Sequence, residues 1–585
     1  MKYAQRLLAL TLLLGLLATP AAAQQQNSAS PNVQQFKTLD LPSPNQYRSA
    51  SGKPGPSYWQ QRADYSIKAS LDPARHRITG SEVITYTNNA PEPLDQIWLQ
   101  LDQNLFRPGS QGSSVQPADS RWRGSFPGGG YDIASVAVIQ NGKRTSVPFQ
   151  IHDTAMRIPL AQPLAAKGGK MQIAVDYGFT IPNYGADRMG YLDVQQGTVF
   201  EIAQWYPRMY VFDDVNGWNT LPYLGQGEFY LEYGDFDVEL TVPHDFIVVA
   251  TGQLQNPDEV LTAEQRQRLD RARTSAETVT LIAQEDVGKP GTRPAGNGPL
   301  TWKYHAENVH DFTWAASQAF IWDAASYKNT LVMSVYPQEG LGTTDKPGWE
   351  MSTQYARHTI QDYSETWFPY PWPVAINVGG IVGGMEYPMI VFCSVKARGT
   401  GLFSVTDHEL GHSWFPMIVG SDERRYGWMD EGFNTFINHY SKIDYYGPTT
   451  ELVRGEASEQ VAAKMASGVP QPSLTKPDEM RRADWGFLNY TKPAKGLIML
   501  REYVLGHQRF DPAFQAYIQR WAYKHPQPAD FFRTIENVSG EDLDWFWKEW
   551  FYSSETLDQA VTGVDVEDGR TVVTLANNAD MVMPV

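Results

Sequence analysis

Apolar positions change their spacing several times along the chain, and each change predicts a different kind of structure. An apolar run from Leu7 to Ala18 comes first. Residues 24–57 are then rich in Gln, Ser, Pro and Asn, as in Ser51-Gly-Lys-Pro-Gly-Pro-Ser57, and read as a flexible linker. From Tyr58 to about Gly252 the apolar residues recur at every second position in short segments such as Glu82-Val-Ile-Thr-Tyr86 and Phe236-Asp-Val-Glu-Leu240. Gly, Pro and Asn break these segments, the pattern of β-strands at sandwich-like spacing. Residues 258–275 read as a polar, charge-dense helix and 287–299 as a Gly/Pro loop. After Trp322 the pattern becomes mixed and then helical: a strand over Leu331–Tyr336, a helix near 350–365, a strand into Ile390-Val-Phe392, and helices to about 550. Alternation returns over 557–585, in Val564-Asp-Val566 and Val572-Val-Thr-Leu575. Two or three strands do not make a stable sheet alone, so these are expected to start a β-domain that is cut short or to complete another sheet.

The resulting expectation is a multidomain α+β protein. Residues 58–323 form an N-terminal antiparallel β-domain, 324–550 a catalytic-type unit, and 551–585 a partial C-terminal β-segment. Lys2 and Arg6 precede the first apolar run, and Ala21-Ala22-Ala23 followed by Gln24 ends it, which is the layout of a secretory signal peptide over 1–23. The run covers twelve residues, short of the ~20 that span a bilayer, and no other stretch reads as a membrane span. The 48 Lys and Arg against 65 Asp and Glu give a net charge of −17. The basic footprint of a general nucleic-acid binder is therefore missing. A single cysteine, Cys393, excludes an intrachain disulfide and any Cys-built metal cage, so a bound metal would have nitrogen and oxygen ligands. Export without disulfides points to a bacterial periplasmic or secreted protein.

The chemistry concentrates in Asp407-His408-Glu409-Leu410-Gly411-His412, which contains H-E-x-x-H. On a helix, His408 and His412 leave the same face one turn apart and can meet one ion. Ser404 to Asp407 resembles a capping box at the start of that helix, and Gly411 lets a neighbour pack closely. After eighteen intervening residues His412 is followed by Glu431, in Trp428-Met-Asp-Glu431-Gly-Phe433, where Asp430 is a candidate cap for a new helix. Two histidines and one glutamate leave zinc's fourth position for water, the open arrangement of a catalytic site, whereas calcium or magnesium would prefer oxygen ligands throughout. One position along the helix turns Glu409 about 100° away from the two histidines. It is placed to act as general base toward zinc-activated water, which makes amide hydrolysis the expected reaction.

These residues resemble the gluzincin zinc aminopeptidases, the alanyl-aminopeptidase group that includes the leukotriene-type hydrolase. The match comprises H-E-x-x-H with its distant Glu431, then Gly383-Gly384-Met385-Glu386-Tyr387 in the place of the family's Gly-x-Met-Glu-Asn, and Tyr490-Thr491-Lys492 some eighty residues after the base. Softer similarity runs through Gln204-Trp-Tyr-Pro207 and Gly227-Glu-Phe-Tyr230. The resemblance implies a thermolysin-like catalytic domain with one Zn2+ on His408, His412 and Glu431. It implies Glu409 as base and Tyr490 as donor to the oxyanion. It also implies that Glu386 binds the free α-ammonium of peptide substrates, with Gly383, Gly384, Met385 and Gln204 lining the substrate site. Tyr387 for Asn, and Pro416 and Pro493 for Gly, depart from the family pattern. A thermolysin-type endopeptidase that ignores the peptide terminus, and a silent scaffold of the same fold, are the competing readings.

Overall fold

The computed structural model describes residues 38–115, 129–140, 142–183, 188–456 and 458–583. The expected signal peptide and the first part of the expected linker lie outside these residues. Period-two patterning produces the N-terminal half: the strand Arg62–Asp72 buries every second side chain for most of its length, including Ala63, Tyr65, Ile67 and Ala69. It sits inside an eight-stranded sheet, flanked by Arg77–Asn88 and Gly234–Val242. The expected antiparallel arrangement holds for the other pairings of this sheet, but Arg62–Asp72 and Gly234–Val242 run parallel, from Tyr65 opposite Phe236 to Ser70 opposite Thr241. A parallel neighbour needs a long crossover. Two further four-stranded sheets, built largely from the chain between them, supply it.

The second half is organised by a six-stranded mixed sheet in the order Val279–Ile282, Ile321–Tyr327, Thr330–Tyr336, Val374–Gly380, Ile390–Ser394, Gly384–Tyr387. Thr330–Tyr336 and Val374–Gly380 are buried at every position, as central strands covered on both faces should be. Two strands of this sheet begin before residue 324, so a boundary at 323/324 would cut the strand Ile321–Tyr327. Apolar content does not distinguish a strand of one sheet from a strand of the next, which is why the sequence alone puts this boundary in the wrong place. Gly384–Tyr387 is an edge strand. The helices Ser352–Thr366 and Gly399–Gly411 pack beside the sheet, Gly427–Tyr446 packs against both of them, and His507–Trp521 and Pro528–Ser539 follow. No helix among the described residues is long and apolar enough to cross a membrane.

Inside the N-terminal half, Arg208 is fully buried between Asp102 (2.7 Å) and Asp311 (2.6 Å). Buried polar contacts also join the two halves. Arg424, beyond the metal-site helix, reaches back to the Gln100 side chain at 3.2 Å, and Glu423 accepts the Phe229 N–H at 2.9 Å. At the far end, Gln559–Glu567 and Arg570–Asn577 form a hairpin that pairs with no other sheet among the described residues. Val561, Val564 and Val566 stand exposed on it.

Residues 38–57, expected to continue a flexible linker, are packed instead. The buried Arg48 donates to Asp530, to Asp214 (2.8 Å) and to the His525 carbonyl (3.1 Å), and Trp521 Nε1 donates to the Gly52 carbonyl at 2.7 Å. Ser, Pro and Gly give this segment the composition of a tether, but one guanidinium with three buried acceptors holds it down. Replacing Arg48 by Met strands two buried carboxylates, which is expected to cost about 3–5 kcal/mol. Urea unfolding of the purified protein reads this directly; a loss below about 1 kcal/mol would mean that the segment is not clamped.

Candidate metal centre

The helix Gly399–Gly411 carries His408 and ends at His412, its C-cap, and it starts five residues before the proposed Ser404 cap, with no side chain capping its N-terminus. Asp407, read as part of a cap, lies in the body of the helix. It accepts hydroxyl bonds from Thr359 (3.0 Å), Tyr363 (2.9 Å) and Ser441 (2.7 Å), a fully buried anchor for the helix. The third expected ligand, Glu431, sits on Gly427–Tyr446, whose first turn already contains Asp430, so Asp430 is not its cap. The two helices meet at Gly411, where a Cβ would fall 2.3 Å from Asn434 Oδ1. With no side chain there, Asn434 donates to the His408 carbonyl at 2.8 Å, and Asn438 Oδ1 accepts from His408 Nδ1 at 2.8 Å. His412 Nδ1 donates to the Phe415 carbonyl at 2.8 Å, with an Asp430 carboxylate oxygen 2.7 Å from the same nitrogen as a charge contact. Both Nδ1 atoms are thus engaged, which fixes each ring and leaves each Nε2 lone pair facing the cleft.

Those two nitrogens and Glu431 form a triangle. His408 Nε2 lies 3.2 Å from His412 Nε2, and Glu431 Oε2 lies 3.3 Å from the first and 3.4 Å from the second. Ligands 2.0–2.1 Å from a tetrahedral ion are separated by about 3.3 Å, so three corners of a zinc-sized tetrahedron are in place. Glu431 Oε2 is buried and has no hydrogen-bond partner, as expected of an atom reserved for a cation. Burial alone would raise the Glu431 carboxyl, but His412 and His408 hold it well below the usual range. Burial likewise works against a charged His412, yet Glu386, Asp430 and Glu431 raise its imidazole well above the ordinary histidine value. This concentration of acids calls for a cation, and two imidazole nitrogens with one carboxylate oxygen suit zinc.

A cleft of about 380 Å3 opens over the triangle, and Gly383, Gly384, Met385, Glu386, Glu409 and Tyr490 all line it. Burial raises the Glu409 carboxyl well above the usual carboxylate range, with Glu386 adding to the effect. Gly384 makes room for it: a Cβ there would fall 2.3 Å from Glu409 Oε1. Glu386 is also buried, and its carboxyl is pushed up to about 8, first by burial and then by Glu228 and Glu431, against the pull of His412. The edge strand Gly384–Tyr387 presents an unpaired side toward which an extended peptide could add. Tyr490 sits on a π-helical turn over Phe487–Thr491, its ring stacked on His408 (5.8 Å between centroids) and its hydroxyl donating to Glu431. Such turns recur at functional sites because they re-aim a side chain within a helix.

One placement differs from expectation. Gln204, expected to line the substrate site, is fully buried outside the cleft lining, and its Nε2 is 3.4 Å from the hydroxyl of Tyr387, the residue that stands where the family has asparagine. Lys492 does not line the cleft either; its ammonium bonds the Ser553 carbonyl at 2.8 Å. Conversely, Arg188 and Glu228 line the cleft, joined by contacts of 2.8 and 3.1 Å, although sequence reasoning gave neither a role. The carboxylates of Glu228, Glu386, Glu423 and Asp430 lie within 4.8 Å of one another. The available signal for Glu228 was a charged residue set in the aromatic run Glu228-Phe-Tyr-Leu231, which has to be buried.

Fold and site together set three ligand positions of zinc-sized spacing beside a six-stranded mixed sheet. Residues 381–550 match the family model described as the Peptidase family M1 domain. It is 26% identical over 230 residues to Aminopeptidase M1-C of Oryza sativa subsp. japonica, covering 36% of this chain and 25% of that protein. It is 28% identical over 155 residues to Probable aminopeptidase 2 of Sulfurisphaera tokodaii, covering 25% of this chain and 19% of that protein. The chain thus spans about a quarter or less of the length of these curated relatives. The crystal structure of an M1 zinc metallopeptidase from Deinococcus radiodurans shares the fold, with a TM-score of 0.54 and 16% identity over 86% of this chain and 96% of that one.

The loop that shapes one wall of the cleft is held by the β-domain. Glu201 Oε2 accepts the N–H groups of Ile381 (2.8 Å) and Val382 (2.9 Å), while its Oε1 is buried without a partner. Burial pushes this carboxyl up to about 8 from 4.5, against the two N–H bonds. Between these values the folded chain keeps a proton that the unfolded chain has released, so this group's contribution to stability falls as pH rises through the window. Glu201→Gln keeps an oxygen for both N–H groups and has no proton to exchange. Its unfolding free energy is expected to gain on wild type steadily from about pH 5 to about pH 8, by up to about 1.4 kcal/mol per unit. Urea titrations across that range measure the difference, and a constant offset would refute it.

Proposed function

We propose that the protein is an exported zinc-dependent aminopeptidase that removes N-terminal residues from peptides. The observation that carries this reading is the zinc-sized triangle of His408, His412 and Glu431 at the floor of a cleft that also holds a buried carboxylate, Glu386. One Zn2+ bound by those three side chains would supply a Lewis acid that polarises the scissile carbonyl and lowers the pKa of water toward ~7. Glu409 takes the proton of the attacking water and returns it to the leaving amine, a transfer its raised affinity for protons favours. Tyr490 turns its hydroxyl from Glu431 to the developing oxyanion. Glu386 pairs with the substrate's α-ammonium, and Glu228, close beside it, takes the second place that Gln204 does not fill. The peptide backbone runs along the edge strand Gly384–Tyr387, with its first residue fixed by these acids. In support, a mutant of the M1 zinc metallopeptidase of Deinococcus radiodurans has been crystallised with a bound Tyr-Ser-Ala substrate.

A set of tripeptides assayed with and without N-acetylation, after chelation and zinc restoration, tests the reading. Free-amine peptides should be cleaved at the first bond only when zinc is present, and acetylation should lower kcat/KM by at least about 100-fold through loss of the ion pair. Equal cleavage of both forms would make the protein an endopeptidase. In the same assay Glu409→Gln should retain zinc and lose turnover, and Tyr490→Phe should lose about 100- to 1000-fold in kcat. Wild-type turnover in Glu409→Gln would remove that residue from the mechanism.

The leader expected over residues 1–23 underlies the proposed export to the periplasm or beyond. Expressed with its leader in a Gram-negative host, the protein should appear in the periplasmic fraction with Gln24 as its first residue. Recovery from the cytoplasm with the leader intact would contradict export.

A further inference from the structure

A second cavity, of about 910 Å3, opens away from the metal centre and shares none of its lining residues. It lies where the turn after Gly190–Val194, the entry to strand Ile247–Ala250 and the loop around Arg293 come together. Arg293 lines it and is 8% exposed, yet neither Nη1 nor Nη2 has a hydrogen-bond partner. A guanidinium stays charged at any working pH, and leaving its donors buried and unpaired is costly unless an acceptor arrives. Burial lowers its proton affinity, to about 10, even though the nearby Asp245 acts in the opposite sense. The lining around it carries further unspent polar atoms: His244 Nε2, Gln196 Oε1 and Gln318 Oε1 are each buried without a partner. The two ends of a carboxamide exchange by rotation, so both glutamines can present an N–H.

Charge selects the ligand. Lys289 also lines the cavity, but its ammonium has Asp286 at 3.7 Å, which leaves Arg293, among the described residues, as the lining cation lacking a contact partner, with the exposed Asp245 close by. That balance accepts one negative charge and disfavours two. A planar carboxylate also matches the guanidinium fork in a bidentate contact. We propose that this cavity is a binding site for a carboxylate monoanion, held by Arg293 and assisted by His244, Gln196 and Gln318. The carboxylate belongs either to a small free acid or to the C-terminus of a peptide.

The test titrates the zinc-loaded mature chain, by calorimetry and thermal unfolding, with acetate, with N-acetylglycylglycine, and with phosphate, against chloride at matched ionic strength. Both carboxylates should bind and raise the unfolding midpoint of wild type, phosphate should do no more than chloride, and the tighter carboxylate identifies free acid or peptide terminus as the source. Arg293→Gln should lose this response while hydrolysing an aminoacyl arylamide at the wild-type rate. An equal response in Arg293→Gln would place the binding at the metal centre and overturn the proposal, as would no carboxylate response in wild type or a stronger one to phosphate. Should Arg293→Gln not fold, Arg293→Lys keeps the charge and loses the fork. Acetate affinity should then fall by at least about tenfold, and unchanged affinity would overturn the assignment.

Discussion

The close crossing of two helices at Gly411 is the contact on which the metal site depends. A helix can project two histidines one turn apart on any exposed face, but free imidazoles turn about χ2 and rarely agree on one point in space. Here Asn434 and Asn438 reach across the crossing, the first to the main chain of the metal-site helix and the second to the ring of His408. Asn438 is itself held by Tyr363 and Asn434, so neither amide is free to swing. The same helix that brings these amides also brings Glu431, which means that one crossing angle sets all three corners of the triangle at once.

The second constraint is electrostatic. Glu386, Glu409, Glu423, Asp430 and Glu431 are buried around a cleft of modest size. Like charges packed together in a poorly solvated place destabilise the folded chain, and a protein tolerates them where cations arrive to share the site. A dication at the triangle and, in the proposed function, a substrate ammonium at Glu386 would be complementary answers to that one excess. Arg188, paired with Glu228 along the same wall, supplies a resident share of the positive charge and helps hold the acids in position.

Residues on one helix or one tight turn could be read directly, because a fixed geometry connects their spacing to a shared face. His408, Glu409 and His412 belong to this group, and the distance to Glu431 extends it, whereas Glu386 and Tyr490 entered only through the resemblance to the gluzincin motifs. Contacts made across the interface between halves were not legible. Glu228 and Arg188 come to the cleft through the docking of sheets, and nothing in the chain near them announces a partner some two hundred residues away. Gln204 differs from expectation through the same kind of contact: its amide lies 3.4 Å from the hydroxyl of Tyr387, far along the chain. Composition misled for residues 38–57, since a linker and an extended strap share the same amino acids and only the acceptors around Arg48 tell them apart.

Gly384 bears on how this surface can vary. It is solvent-exposed, the condition under which substitutions are usually tolerated, yet the volume its missing side chain would fill belongs to Glu409. Even alanine would have to displace the carboxylate, so exposure is a poor guide to mutational freedom at this position. Drift along the rim of the cleft is blocked there by what lies beneath it.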